Sequence, residues 1–467
     1  MTFLRDYFHL KMQNAPTANF FYNFNTMKRL PFTACLLLGL VSVSVAQWGN
    51  WRGPTYSGNA ASLLPTHWSE TEGVLWKTQL PSWGSSTPIL VGDSILLTTH
   101  ENDDRLVLIR LNKADGQIVW SKEIASGLKT PRLQEGRGLR GWHKFHDYHN
   151  PASPSVVADS ETIIAHFGTG ELAAFDWDGN PLWKNRLPDD FGGFVTWWGR
   201  ASTPLLYENL VIIPVMQDNL RDLPDEKPVE SFLIAFDKTT GKQVWKVFRN
   251  TGSFEEHNDS YTSPVLWTHE GRTEMLIFGG ETLDAYNPKT GERYWWLNKG
   301  LTGKAAVPSP VPMPASDSLG LLFVVPGCRE PVCCVAPKGL GEQPESALLW
   351  AHNKNSSDVS CSVVSNGLLF FVGAPGIATC VDPKTGVMHW EYRLPGGTYY
   401  PSLLADGKNV YYMNSEGICT VIKADKEFEQ VAQNQLDGTF LASPIGAEGK
   451  LYLRGHEAIY CIELSNN

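Results

Sequence analysis

The chain has 467 residues, among them 17 Trp, 42 Gly and 30 Pro, and its formal net charge is −10. Hydrophobic residues make up 42% and aromatic residues 11%, which is enough to bury a core and excludes a wholly disordered chain. The abundance of Gly and Pro disfavours a protein of long helices, and an acidic chain with no run of five basic residues is not expected to bind nucleic acid.

The N-terminal segment has the pattern of an export signal. Residues 27–46 read MKRLPFTACLLLGLVSVSVA, with two basic residues, an apolar run and a small-residue end. The apolar run is too short for a membrane span, so the pattern predicts a signal peptide cleaved near Ala46. We interpret residues 1–26, which show no periodicity, as a mis-assigned extension ahead of Met27. The protein is therefore expected to be exported, periplasmic or secreted, with no membrane span.

A sequence repeat, whose most regular part is a Ser-Pro or Thr-Pro phrase, covers the chain from residue 73 onward. A lead-in segment at 47–72 precedes it. Each copy opens near a Ser-Pro or Thr-Pro pair, continues through short β-rich runs and ends in a tight turn and Trp, as in STPLLYENLVIIPV followed by IAFDKTTGKQVW. Eight copies average about 48 residues, and four short strands at that period are typical of a propeller blade. The Trp residues of the repeat are Trp76, Trp120, Trp183, Trp245, Trp295, Trp350 and Trp390.

The eighth copy lacks its fourth strand, and residues 73–77 (GVLWK) have the pattern of that missing strand. The sequence thus predicts an all-β fold over residues 73–467: an eight-bladed β-propeller of four-stranded blades, with its ring closed by an N-terminal strand. Such closure removes exposed sheet edges.

The copies resemble the repeats of the pyrroloquinoline-quinone (PQQ) dehydrogenase-like propellers, a superfamily that also includes the non-enzymatic outer-membrane barrel-assembly propeller lipoprotein. WGNWRGP at 48–54 is similar to the opening of secreted PQQ-like repeat proteins. The resemblance covers most of residues 48–464. It implies either a non-catalytic binding or scaffolding module or a quinoprotein oxidoreductase of alcohols or sugars that uses PQQ and Ca²⁺. The calcium ligands and catalytic Asp of those enzymes match no motif of this sequence, which favours the non-catalytic alternative with no assigned cofactor.

Long, irregular loops point to one face of the predicted propeller as the binding surface. The segments before each Ser-Pro phrase and the loops between second and third strands reach this face, which we call the mouth face, whereas the opposite turns are short. Loops on a rigid scaffold commonly bind ligands. We expect a protein, small-molecule or glycan partner there, and a monomeric chain.

Three mouth loops carry the candidate ligand-binding residues. The first loop could ligate a metal or be a plain polar loop. The second could stack on a planar ligand or sugar, or pack between blades, which makes a carbohydrate-binding or carbohydrate-processing protein a further alternative. The third offers an acid/base pair. No residue is assigned as catalytic or as a metal ligand. The candidates are Trp142, His143, His146, His149, Trp197, Trp198, Arg200, His257, Asn258 and Asp259.

Two adjacent cysteines, Cys333 and Cys334, are the weak candidates for cofactor contact, because the PQQ dehydrogenases that the repeats resemble place a ring of adjacent cysteines against the cofactor. The alternative follows from aligning the third strands, which puts Cys334 at the position that Ala235 and Ala285 occupy in other copies. Cysteine would then serve as a small buried residue. Whether the two cysteines form a disulfide is left open.

Overall fold

The computed structural model describes residues 48–102, 104–127, 149–221, 227–313 and 320–464. These residues form eight separate sheets, each built on four antiparallel strands, so the predicted eight-bladed, all-β propeller is confirmed. The described helices are one short α-helix, α1 (Leu187–Phe191), and two 3-10 turns, Glu255–His257 and Glu345–Ala347. The predicted extension and signal peptide lie outside the described residues and stay predictions.

In seven blades the four strands run in chain order from the axis outward, and in blade 8 the outermost strand is β1. Blade 1 has β2 (Ile89–Val91), β3 (Ser94–Glu101), β4 (Arg105–Asn112) and β5 (Ile118–Ala125); blade 2 has β6 (Val157–Ala158), β7 (Ile163–His166), β8 (Glu171–Phe175) and β9 (Pro181–Arg186). Blade 3 has β10 (Leu205–Tyr207), β11 (Leu210–Val215), β12 (Phe232–Asp237) and β13 (Gln243–Phe248); blade 4 has β14 (Val265–His269), β15 (Arg272–Gly279), β16 (Thr282–Tyr286) and β17 (Arg293–Leu297). Blade 5 has β18 (Val311–Pro312), β19 (Leu322–Val324), β20 (Val332–Val335) and β22 (Leu348–His352); blade 6 has β23 (Val363–Ser365), β24 (Leu368–Val372), β25 (Ile377–Val381) and β26 (Met388–Arg393). Blade 7 has β27 (Leu404–Ala405), β28 (Asn409–Met413), β29 (Ile418–Lys423) and β30 (Gln430–Gln435); blade 8 has β31 (Ile445–Ala447), β32 (Lys450–Arg454), β33 (Ala458–Glu463) and β1 (Val74–Gln79).

The ring is closed by the first strand of the chain, as predicted. Strand β1 pairs antiparallel with β33, and Trp76 lies opposite Cys461. Blade 8 is therefore assembled from both ends of the propeller sequence, which leaves no gap between the first and last blades.

Blade 4 carries a fifth strand that the repeat did not predict. Strand β21 (Gly341–Glu342) belongs to the irregular fifth copy but pairs in parallel with β17, with Trp295 opposite Gly341 and Trp296 opposite Glu342. The insertion between the third and fourth strands of blade 5 thus covers the outer edge of blade 4, which protects that edge from pairing with other chains.

The Trp of the repeat joins neighbouring blades at several boundaries. The Nε1 of Trp183 in blade 2 donates a hydrogen bond to the Lys238 carbonyl of blade 3 at 2.8 Å. Beside it, Gly241 has a φ of +69°, and a Cβ on this glycine would meet the Trp183 ring at 2.6 Å. The turn glycine is therefore needed both for its left-handed backbone and for the close approach of the indole.

In several blades the repeat Trp lies opposite a small residue of the third strand of the same sheet. This confirms the alignment of cysteine positions with alanine positions, where cysteine serves as a small buried residue. Blade 1 differs, because Arg110 lies opposite Trp120 there. The pairs are Trp245 with Ala235, Trp295 with Ala285, Trp350 with Cys334, Trp390 with Cys380, and Trp76 with Cys461.

The lead-in segment crosses the propeller axis. Gly49 accepts a main-chain hydrogen bond from Ala158 in blade 2, and the Asn59 side chain donates to the Val364 carbonyl in blade 6. Blades 2 and 6 face each other in a ring of eight, so the nine residues between these contacts must span the axis. Ala158 and Val364 belong to the innermost strands of their blades. Each lies further from the mouth face than the start of its strand. The lead-in segment therefore closes the axial channel on the opposite side.

A closed ring of hydrogen bonds links all eight blades around the axis. At the start of each innermost strand, a backbone N–H donates to the side chain of the equivalent residue in the next blade. Seven of these side chains are hydroxyls and the eighth is a thiol. In order, the N–H groups of Thr87, Ser155, Thr203, Ser263, Ser309, Cys361, Ser402 and Ser443 donate to Ser155, Thr203, Ser263, Ser309, Cys361, Ser402, Ser443 and Thr87, at 2.8–3.2 Å.

We call these eight residues the inner ring. Most of them come from the Ser-Pro and Thr-Pro phrases recognised in the sequence. The repeat pattern did not identify Cys361, because the sixth copy reads Ser-Cys-Ser with no proline.

Replacing Cys361 tests the contribution of the inner ring to stability. Cys361→Ala leaves the buried Ser309 N–H without an acceptor and is expected to lower the free energy of unfolding by about 1–3 kcal/mol. Cys361→Ser keeps an acceptor of similar size, so the free energy of unfolding should stay within about 1 kcal/mol of the parent protein. Urea unfolding of both variants is the measurement, and equal losses for Ala and Ser would contradict the role of this hydrogen bond.

Candidate functional site

A cavity of about 720 Å³ lies at the mouth of the propeller and is lined by residues from all eight blades. The volume lies in the range of small-molecule binding sites. Seven inner-ring residues line it, together with Trp51 from the lead-in segment. Because every second residue of an extended segment faces the same way, a second tier lies two residues before each inner-ring position. This second tier consists of Ser85, Ser153, Ala201, Tyr261, Val307, Val359, Tyr400 and Leu441.

The second tier is polar on one side and mainly apolar on the other. In blades 1 and 2, the hydroxyls of Ser85 and Ser153 lie 2.8 Å apart, and Ser153 also bonds Nδ1 of His149 at 2.8 Å. Blades 5 to 8 present two valines, one tyrosine ring and one leucine to the cavity. The cavity wall is therefore amphipathic.

Trp197 is held by two buried carboxylates. Its backbone N–H donates to Oδ2 of Asp259 at 2.6 Å, and its indole Nε1 donates to Oδ2 of Asp218 at 3.2 Å. Both carboxylates are 0% exposed. These bonds fix the position of the loop that carries the neighbouring Trp198.

Trp198 lines the cavity and is held in a similar way. Its backbone N–H donates to the Tyr261 hydroxyl at 3.1 Å, and its Nε1 donates to Oε1 of Glu256 at 2.8 Å. The other carboxylate oxygen of Glu256 pairs with Lys304 at 2.9 Å. The indole is thus an aromatic surface already ordered for a ligand.

Asp259 carries an unsatisfied polar atom behind this loop. Its Oδ2 accepts hydrogen bonds from Trp197 and, at 2.7 Å, from the Tyr261 hydroxyl, whereas its Oδ1 is buried without a partner. Burial raises the pKa of Asp259 to about 8, and the carboxylates of Asp218 and Glu256 act in the same direction against the two hydrogen bonds. The carboxyl therefore holds its proton into the neutral range.

Charged groups of blades 5 and 6 form the other part of the rim. Arg329 is exposed with a φ of +66°, and its backbone N–H donates to Oδ1 of Asp358 at 2.8 Å. The Cys328 thiol lies 3.7 Å from the same oxygen, and burial together with Asp358 raises its pKa. A second cavity of about 440 Å³ over blade 6 shares Arg329, Asp358 and Ala374 with the first.

The structure brings together some of the residues singled out from the sequence. His149 and Trp198 line the cavity, and Trp197 and Asp259 support them from behind. Trp142, His143 and His146 lie outside the described residues and stay predictions.

Three other candidates lie away from the cavity lining. Arg200 is 5% exposed, with its guanidinium 4.0 Å above the Phe194 ring. Asn258 is buried and donates to the Gln217 carbonyl. His257 pairs through Nδ1 with Oε1 of Glu281 at 3.0 Å.

The adjacent cysteines are in the core of blade 5. Cys333 and Cys334 lie in β20, are 0% exposed and are both free thiols. Burial raises the pKa of each thiol to about 12. Neither is among the cavity-lining residues.

Sequence reasoning missed most of the cavity wall, although a signal for it was present. The second tier can be read from the sequence by counting two residues back from each inner-ring position. Lys304, Arg329 and Asp358 have no such signal, because their loops differ in length and conformation from blade to blade.

The sequence profile of the family described as "Outer membrane protein assembly factor BamB" matches residues 66–193 and 132–307, together about half of the chain. The chain belongs to the PQQ-like β-propeller family. No curated protein sequence matches this member of the family.

Solved structures share the fold of this PQQ-like propeller at low sequence identity. BamB from Moraxella catarrhalis has a TM-score of 0.54 at 12% identity, covering 84% of this chain and 99% of its own. Quinohemoprotein alcohol dehydrogenase from Comamonas testosteroni has a TM-score of 0.61 at 11% identity, covering 89% and 80%. A europium-containing methanol dehydrogenase has a TM-score of 0.59 at 12% identity, covering 90% and 98%. At these identities the likeness shows the fold alone.

Asp259→Asn tests the buried carboxyl behind the Trp pair. In the folded protein Asp259 keeps its proton up to a pKa of about 8, whereas in the unfolded chain it loses it near 3.8. Ionisation therefore opposes folding, and the stability of the parent protein relative to Asp259→Asn should fall as the pH rises from about 4 to 8, by at most about 1.4 kcal/mol per pH unit. Urea unfolding of both proteins at pH 5, 6, 7 and 8 measures this difference. A difference that does not change with pH would refute the assignment.

Proposed function

We propose that the protein is a non-catalytic binding or scaffolding module that acts outside the cytoplasm and engages a partner protein through its mouth face. The observation that carries the proposal is the mouth cavity, walled by all eight blades, with Trp198 held in place and Arg329 exposed at the rim. A surface ordered before binding loses little entropy when a partner docks.

A protein partner is supported by the family description, which names an assembly factor for outer-membrane proteins. The export pattern at residues 27–46 agrees with such a location. Among the described residues, no helix is long and apolar enough to cross a membrane.

The described residues of the mouth cavity do not fit the quinone and Ca²⁺ of the related dehydrogenases. Among the residues that the structure describes, no three His, Cys, Asp or Glu side chains lie close enough together to hold a metal ion. Lys304, a cationic side chain of the described lining, pairs with Glu256 at 2.9 Å, which reduces its attraction for the carboxylates of a quinone. We derive no redox step for this chain.

Site-specific photo-crosslinking tests the mouth face. A benzophenone amino acid would replace Lys304 or Arg329 at the rim, and Asp93 or Lys408 in turns of the opposite face as controls. We expect protein adducts of defined mass from the rim positions in the native host and none from the controls, because rim side chains contact the partner.

Charge-reversal variants at the rim and on the opposite face provide a matched comparison for the crosslinking experiment. Arg329→Glu should reduce the adduct formed from position 304 several-fold, whereas Lys408→Glu on the opposite face should leave it unchanged. Equal crosslinking from both faces would contradict the proposal. Absorbance of bound quinone with dye-coupled alcohol oxidation, after addition of PQQ and calcium, would also contradict it.

A further inference from the structure

We propose that the mouth cavity receives the C-terminal tail of the partner protein. The free carboxylate would lie in the inner ring, an apolar last side chain against blades 5 to 8, and the preceding main chain over blade 6. This inference rests on the proposed function and names the part of the partner that is bound.

The cavity is closed at its inner end. The lead-in segment crosses the axis below the inner ring, and its Trp51 is part of the cavity lining. Arg52, which is 2% exposed, fixes this segment by donating to the carbonyls of Leu403 at 2.6 Å and Ser362 at 2.8 Å. A chain cannot pass through the axis, so a polypeptide end that enters the cavity stops at the inner ring.

The inner ring offers donors to whatever enters. Each ring hydroxyl accepts the N–H of its neighbour, and none donates its own proton to an acceptor within the described residues. A carboxylate accepts hydrogen bonds and donates none, and bonds to it are strengthened by its charge. Neither the inner ring nor the second tier contains an acidic residue. Of the two ends of a polypeptide, the C-terminal carboxylate is the one that this ring fits.

The apolar part of the wall fits the last side chain of such a tail. Val307, Val359, Tyr400 and Leu441 come from four consecutive blades, two residues before their inner-ring positions. An aliphatic or aromatic side chain next to the bound carboxylate would lie against them and leave water.

The rim provides an exit for the preceding residues. The cavity of about 440 Å³ over blade 6 joins the central one at Arg329 and Asp358 and is lined further by Asn353, Asn355 and Ser356. Amide side chains carry both donors and acceptors, which is what the main chain of an extended peptide requires.

The test begins with an array of decapeptides with free C-termini that end in leucine, valine or phenylalanine. Sequences that bind the full-length exported protein are then measured by fluorescence anisotropy as pairs, one with the free carboxylate and one with a C-terminal carboxamide. We expect the carboxylate form to bind at least tenfold more tightly.

Ring variants locate the carboxylate. The double variant Thr87→Val with Thr203→Val removes two ring hydroxyls while keeping side-chain shape, and should lower the affinity of the carboxylate peptide to that of the carboxamide. The matched control is Thr379→Val, which removes a buried hydroxyl that has no partner and lies outside the cavity lining. Because loss of ring acceptors also lowers stability, Leu441→Asp serves as a second variant. It places a negative charge on the cavity wall, which repels the peptide carboxylate, and it should lower the affinity for the carboxylate peptide by the same factor.

The outcomes separate this inference from the proposed function. If the rim positions crosslink a partner but no array peptide shows a preference for the free carboxylate, the tail is excluded and the mouth-face function stands. If the rim crosslinks nothing, both fail. If N-acetyl-leucine binds as tightly as a decapeptide, the ligand is a small carboxylate and the tail proposal is overturned.

Discussion

The structure depends on the hydrogen-bonded ring at its axis. In each blade the first strand begins with a backbone N–H that has no partner in its own sheet, and the side chain of the neighbouring blade supplies the acceptor. Leaving such a buried donor unpaired costs about 1–3 kcal/mol, so eight blades are held at the same height along the axis. The residues two positions earlier then meet as the second tier, and the cavity wall follows from the ring.

A second set of contacts acts at the outside of the blades. The repeat Trp fills the space next to the turn of the following blade, as Trp183 does beside Gly241. Neighbouring blades are thus joined near the axis by a hydrogen bond and, where the repeat Trp is present, further out by a packed indole. The pairing of β1 with β33 joins the first strand to the last blade, so the blades stabilise one another around the whole ring.

Buried polar groups are concentrated behind the mouth loops of blades 3 and 4. Asp218 and Asp259 are both fully buried and both bind Trp197. Burying carboxyl groups is costly, and their use at this position holds an aromatic side chain at the rim of a cavity. Proteins commonly accept such costs near binding sites, which supports the proposal that this face binds a partner.

The sequence by itself determined the number of blades and their closure by an N-terminal strand, and it predicted the mouth face as the binding surface. These features depend on a local period and on loop length, which can be read without knowing which segments meet. The tertiary structure decided which loop residues face the cavity: Trp198 lines it, Trp197 lies behind it and Arg200 is buried. It also decided that Cys361 continues a ring of hydroxyls and that the lead-in segment closes the axis. Each of these depends on segments up to several hundred residues apart meeting at one axis, and no local pattern encodes that meeting.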